Sequence, residues 1–480
     1  MAGSNEPDSF VQARQQGRLV VKDAPKFDLD VYIANYKGKT RFDRLYLIGS
    51  TSSFLHLEAL KGAIAEAKRG KDISRYEIAV ATLREIAPTD PDATPDLGWI
   101  ERMNKQVKAE TDRLELELKG YKNNLIKESI RMGYDDLGQH YHSIGDLPAS
   151  TKSYARMRDY CTTTSHIAIM CFRIIHVSID QANWLAVQSN VQKIRNLNQK
   201  SADVEKQQAK LHAATGLACL ALGHYRDAAV SFLATDPRMI TAKLDDPSDD
   251  DAYNEIITPN DIAVYGGLCA LASMNRNDLQ KLVLENSNFR NYLELEPHIR
   301  RAISFFVSSK YSSCLSILES YKTDYLLDLH LQPHIPDLYF QVRSKSIIQY
   351  FIPFSSVTLK AIASAFATSE ESIEGELVDM INRGTLEARI DLQERVLLAK
   401  QTDARGKVLD EALEMAKDYE RTAHLRIMRM EILNAGLDVK APKGQGLGSG
   451  IGQGYGNMGD VFMGPSGPQG RSGLRSGMRF

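Results

Sequence analysis

The chain has 480 residues, of which 43% are hydrophobic and 25% charged, with a formal net charge of −2. That length suits two or three domains, and that balance excludes a collagenous or wholly disordered chain and gives no basic excess to call for nucleic acid or an anionic membrane. Five scattered cysteines (Cys161, Cys171, Cys219, Cys269 and Cys314) form no CxxC pair, as expected of reduced thiols rather than a disulfide framework.

In chain order, residues 1–25 are polar and read as a flexible N-terminus without the apolar core of a secretory leader. A helical region follows over 26–133, its pattern clear from about Leu45. Met103, Val107, Leu114, Leu118, Tyr121 and Leu125 recur at three- and four-residue steps and predict one long helix from Asp96 to Met132. Its other faces are charged, as in a part-exposed bridging helix. Residues 134–335 carry a repeat: Gly138, Gly145, Ser150 and Tyr154 are matched by Gly216, Gly223, Ala228 and Phe232, and more weakly by Ala302, Ser309, Cys314 and Leu318. The pattern is that of tetratricopeptide hairpins, in which a small residue lets the second helix approach and an aromatic fills the gap. Turns at 145, 182, 223, 277 and 309 predict a helical-hairpin solenoid, interrupted by an acidic surface loop, Asp245–Asp251. The most apolar stretch, His166–Ile179, is broken by Arg173 and His176 and is too short to cross a bilayer.

Over 336–402 the pattern changes. Leu359, Ile362, Ala363 and Phe366 predict a short helix; Thr368 and Glu371 predict a capping box for a second, carrying Ile373, Leu377, Met380 and Ile381 and ended by Gly384. Leu386, Ala388 and Ile390 then alternate with charged residues, and Val396–Ala399 follows a polar turn, so a β-hairpin closes the order of a winged helix. A last helix is expected within 403–435, with Leu409, Leu413, Ala416, Tyr419, Ala423, Ile427, Met430 and Leu433 at near-heptad steps. Residues 436–480 are rich in glycine and are expected to be disordered. The fold class is therefore mostly α: a tetratricopeptide-like solenoid, a winged-helix module and a C-terminal helix.

Little of this carries chemistry. His140-x-His142, with Ser150 and position 153, has the spacing of a zinc isopeptidase site, but Ser153 stands where a carboxylate ligand is required, so it reads as repeat surface. The second winged-helix element carries Glu370, Glu371, Glu374, Glu376 and Asp379, which would repel phosphates in a DNA groove. Cys161 and Cys171 lack an evident base and read as core. Gly266-Gly267 reads as close helix packing rather than phosphate binding. Arg471, Arg475 and Arg479 in the tail read as a solvated linker, and Ser248 beside three aspartates as an unmodified loop. Catalytic, cofactor and metal residues are thus expected to be absent.

A solenoid followed by a winged helix and one long helix resembles the PCI-domain proteins, which build the proteasome lid, the COP9 signalosome and translation initiation factor three. Ile126–Gly138, Tyr154–Cys161, Ala263–Ala272, Leu293–Pro297, Leu338–Arg343, Ile348–Phe351 and the run Leu29–Leu60 look like the first-subunit branch of the signalosome. The likeness covers about 27–435 and leaves out the glycine-rich tail. It implies a non-catalytic scaffold in a complex that removes Nedd8 from cullins of cullin–RING ubiquitin ligases, in cytoplasm and nucleus, with the metallo-isopeptidase site in another subunit. The PCI subunits two and three would be its neighbours, and the N-terminal arm would face the ligases. The hairpin, Leu386, Ala388 and Ile390, would join a horseshoe of sheets, and the face from Leu409 through Met430 to Leu433 a shared helical bundle. The alternatives are a homologous proteasome-lid subunit and, in another class, a winged-helix regulator that binds nucleic acid.

Overall fold

The computed structural model describes residues 19–197, 202–241, 253–400 and 404–437, with four isolated positions before residue 19. The acidic segment with Ser248 and the glycine-rich tail lie outside the described residues. Residues up to Lys400 form one unit, and the helix from Ala404 belongs to a second.

The first helices are α1 (Leu29–Ala34), α2 (Gly38–Thr51), α3 (His56–Arg69) and α4 (Ile73–Ile86). The Asp28 and Asp72 side chains cap α1 and α4 by accepting from first-turn N–H groups. Ile48, Ala59, Leu60, Ala63, Tyr76 and Leu83 fill the core between them. Flexibility expected over 1–25 does not extend to Val21, which is buried and accepts a hydrogen bond from the Ser53 N–H at 3.0 Å while donating to Thr51 at 2.9 Å.

The single helix expected from Asp96 to Met132 is two. Helix α5 (Leu97–Asn124) stops at Leu125, whose φ of 55° is left-handed, and α6 (Lys127–Ile144) folds back on it. Asn123-Asn124, a helix-stopping pair, precedes the break. The reversal brings Leu114 and Leu118 against Ile130, Tyr134 and Leu137, while Trp99 and Ile100 pack on the N-terminal core. Helix α5 thus joins two cores.

Helical hairpins follow: α6 with α7 (Leu147–Met157), α8 (Thr164–Asp180) with α9 (Trp184–Asn196), and α10 (Ala202–Ala221) with α11 (Tyr225–Leu233). Next come α12 (Pro259–Ser273), α13 (Ser287–Leu295), α14 (Pro297–Val307), α15 (Tyr311–Leu326) and α16 (Ile335–Phe351). Four expected turns are left-handed at Gly145, Ala182, Gly223 and Ser309. The fifth lies at Met274-Asn275, because Asn277 is already helical and runs into a π-helical stretch, Leu279–Leu284. The repeat frame is steric: a Cβ on Gly138 would stand 2.5 Å from the Tyr154 ring, and one on Gly216 2.7 Å from Phe232. Gly267 likewise admits Ile299, as close packing there requires.

One buried ion cluster locks the N-terminal helices to the later repeats. Arg44, on α2, is fully buried. Its Nη1 donates to Asp328 Oδ2 at 2.6 Å and to the Tyr32 hydroxyl, and its Nη2 to Asp261 Oδ2 and the Tyr265 hydroxyl, each at 3.0 Å. Tyr36 lies under the guanidinium, 4.1 Å from carbon to ring centre, and donates to Asp261 Oδ1 at 2.7 Å. Asp261 is also the third residue of the Thr258 capping box that starts α12. Burial opposes the charge on Arg44, but the two carboxylates outweigh it and raise its pKa. Burial also raises Asp261, whereas at Asp328 the attraction of Arg44 overcomes burial and lowers it.

The winged helix consists of β1 (Ser356–Thr358), α17 (Leu359–Phe366), α18 (Glu370–Asn382), β2 (Ala388–Asp391) and β3 (Val396–Ala399). The sheet order is β1-β3-β2, antiparallel throughout, with Val357 opposite Leu397 and Ile390 opposite Leu397 on the other side. The capping box expected of Thr368 and Glu371 is not formed: Ser369 caps α18, and the Thr368 hydroxyl accepts from Arg343 at 3.1 Å. Arg343 also donates to Glu376 at 2.7 Å, tying α16 to the winged helix.

Gly138→Ala is expected to lower stability by about 1–3 kcal/mol through overpacking against Tyr154. Gly375→Ala, on exposed α18 with open space at its Cβ, should instead raise it by about 0.5–1 kcal/mol. Thermal melts of both variants check the contrast. A pH dependence follows from His330, which burial, then the charge of Arg44, hold down to about 4 against an ordinary 6.5. The unfolded chain takes up a proton below 6.5 that the folded chain refuses until about 4, so stability present above that window is lost as pH falls through it. The thermal midpoint should drop over this range, and drop less in His330→Gln.

Candidate assembly surfaces

Strand β2 is at the sheet edge, so one side of its backbone has no strand partner within the sheet. Its side chains are divided. Leu386 and Ala388 point into the module's own core, Ile390 is half-buried, and Glu387 and Arg389 are exposed. Two of the three apolar residues predicted for sheet contact are therefore committed inward. What the edge offers a partner is backbone, flanked by charged side chains and by exposed Leu392 at the hairpin tip.

The second winged-helix element, α18, presents carboxylates, two of them paired. Glu370 meets Arg395 at 3.1 Å, and Glu376 meets Arg343. Arg383, the first base after this run, lies with its guanidinium carbon 4.6 Å from the Phe340 ring centre. An acidic helix whose neighbouring bases are paired with its own carboxylates or stacked on a ring does not suit a phosphate backbone.

The last helix, α19 (Ala404–Asn434), has 31 residues and would span about 46 Å. Leu409, Leu413, Tyr419, Ile427 and Met430 are each more than half exposed, Ala416 is exposed and Ala423 half-buried. Covering such side chains would be worth about 1.5–3 kcal/mol for each large one.

The zinc-like spacing does not converge. His140 is turned to α5, where its Nε2 is 2.9 Å from the Thr111 hydroxyl. Ser150 donates to the Gly138 carbonyl and Ser153 to that of Ala149. His142 faces the other way, its Nε2 2.7 Å from Asp180 Oδ2 on α8. There it meets His176, a pair that sequence reasoning missed although His176 and Asp180 stand at a one-turn spacing. All five cysteines are free, and burial raises each thiol whose pKa shift is resolved, Cys314 to about 12, which leaves them poor nucleophiles.

Comparison with known proteins gives the family. Residues 96–282 match the model of 26S proteasome subunit RPN7, and residues 318–401 that of the PCI domain. The COP9 signalosome complex subunit 1 of Emericella nidulans is 55% identical over 431 residues, spanning 88% of this chain and 84% of the relative. The chain belongs to the COP9 signalosome complex subunit 1 family. Members from Neurospora crassa and Arabidopsis thaliana are 42% and 40% identical, over 85% and 87% of this chain and 91% and 92% of theirs. The RPN7 match reflects kinship with the lid, while the relatives fix the branch. In this signalosome family member the PCI match ends at β3, just before α19 begins. No described helix is long and apolar enough to cross a membrane.

Proposed function

We propose that this chain is a non-catalytic scaffold of a signalosome that removes Nedd8 from cullins of cullin–RING ubiquitin ligases, working in cytoplasm and nucleus. The observation that carries the reading is α19: a 31-residue helix with a mostly exposed apolar face, in a chain whose relatives are named as complex subunits. Isolated helices draw little stability from propensity alone, so a bundle with helices of other subunits supplies what this face lacks. The β2 edge is the second joint, through strand addition by a neighbouring PCI module, with subunits two and three as the neighbours. Residues 26–335 form the arm that reaches ligase components, and 336–402 with 403–435 hold the chain in the complex. The isopeptidase metal centre is assigned to a different subunit; in this chain His140 and His142 turn to different partners.

Tagged full-length chain and a variant lacking 404–434 separate the outcomes on affinity purification and gel filtration. The full chain should bring down the other signalosome subunits, and the truncated chain should elute alone with its other helices intact. Undiminished co-elution of the truncated chain would sink the bundle. Purified alone, the full chain should leave neddylated cullin uncut.

A further inference from the structure

The group of His142, His176 and Asp180 lies outside the surfaces assigned to assembly. His142 is in the last turn of α6; His176 and Asp180 share one face of α8, four residues apart. Each offers one ligand atom, and these atoms all lie within 4.8 Å of one another. The two imidazole rings meet edge to face with centroids 4.8 Å apart. The side chains are 18%, 20% and 7% exposed, which leaves them reachable but poorly hydrated. His142 and His176 border a cleft of about 510 Å³ between the N-terminal helices and the first hairpins, lined also by Lys39, Arg75, Arg173 and Glu255.

We propose that His142, His176 and Asp180 form a binding site for a borderline divalent cation of the zinc class. Two imidazoles and one carboxylate are a donor set that such ions take, and the cleft supplies room for water in the fourth position. Asp180 Oδ2 stands 2.7 Å from His142 Nε2 and 3.8 Å from Lys39 Nζ, so the carboxylate is held at the centre of the group. The Glu255 carboxylate, 3.6 Å from His176 Nδ1, is near enough to orient that ring from outside.

A second observation concerns Lys39. Its ammonium is buried without a hydrogen-bond partner and stands 3.8 Å from Asp180 Oδ2. Such a group is costly to keep. Lys39 is thus the resident cation opposite Asp180, on a flexible stem that can withdraw into the cleft when a metal ion takes over the carboxylate. The ion would pin the end of α6 to the end of α8, a structural role independent of isopeptidase chemistry. It also departs from the expectation of no metal residues, through partners that the His140-x-His142 spacing does not include.

The test is titration of the chelator-treated full-length chain with Co²⁺, read by its visible d–d bands, followed by displacement with Zn²⁺. The parent should bind one equivalent and show tetrahedral-type bands that Zn²⁺ abolishes, and Zn²⁺ should raise its thermal midpoint. His176→Ala and Asp180→Asn should lose the bands while keeping the parent's helical circular dichroism, and Lys39→Met should lower the apparent Kd. His142→Gln, which keeps side-chain bulk, serves as a further check on loss of the bands without loss of fold. Absence of bands in the parent, equal bands in the His176 and Asp180 variants, or weaker binding by Lys39→Met would each overturn the site.

Discussion

The arrangement of the main unit depends on one buried charge. A guanidinium withdrawn from water costs several kcal/mol unless its donors are answered; at Arg44 both Nη atoms are answered, by two carboxylates and two tyrosine hydroxyls, and the buried Nε alone has no partner. Those acceptors lie at Tyr32, Asp261, Tyr265 and Asp328, so segments separated by 217 to 284 residues must be in place together. Asp261 simultaneously starts α12, and Asp328 accepts the backbone N–H groups of His330 and Leu331. The cluster therefore couples local helix starts to a long-range dock. It seats the N-terminal helices on the later repeats and makes an arm out of what would otherwise be a string of hairpins.

On the proposed reading, function is distributed along this arm. Hairpins of the solenoid contact mainly their neighbours and transmit position rather than chemistry. The winged helix is tied to the last solenoid helix by Arg343, which holds both Glu376 and Thr368. Its acidic α18 and free β2 edge suit a protein neighbour, and the apolar face of α19 suits a helical one. The group of His142, His176 and Asp180 lies elsewhere, where the ends of α6 and α8 meet.

Sequence made local regularities legible and hid what depends on distance. Gly138 with Tyr154, and Gly216 with Phe232, sit one hairpin apart, so a steric rule written within some sixteen residues exposes them. The α17–α18–hairpin order and the span of α19 were legible for the same reason, as periods and caps. The helix expected from Asp96 to Met132 ran through Leu125 because only Asn123-Asn124 marks the break, and the residues buried beyond it, Ile130, Tyr134 and Leu137, fall on a different phase of the helix. Strand β1 is three residues long and becomes a strand by pairing with β3, forty residues on, which no local pattern announces. Thr258 and Asp261 are readable as a helix start, but nothing near them points to Arg44. Leu386 and Ala388 show the limit of alternation: it finds the strand and its buried face, but not whether that face belongs to the module's own core or to a partner.

Hydrogen exchange on Arg44→Met against the parent tests the dock most directly. Removing the cation leaves two carboxylates buried without it, at a cost of about 3–5 kcal/mol. Amides over 29–45, 258–265 and 325–331 should lose protection together, while 356–399 in the winged helix keep theirs. Protection lost only next to residue 44, or not at all, would contradict the claim that this one charge holds the arm together.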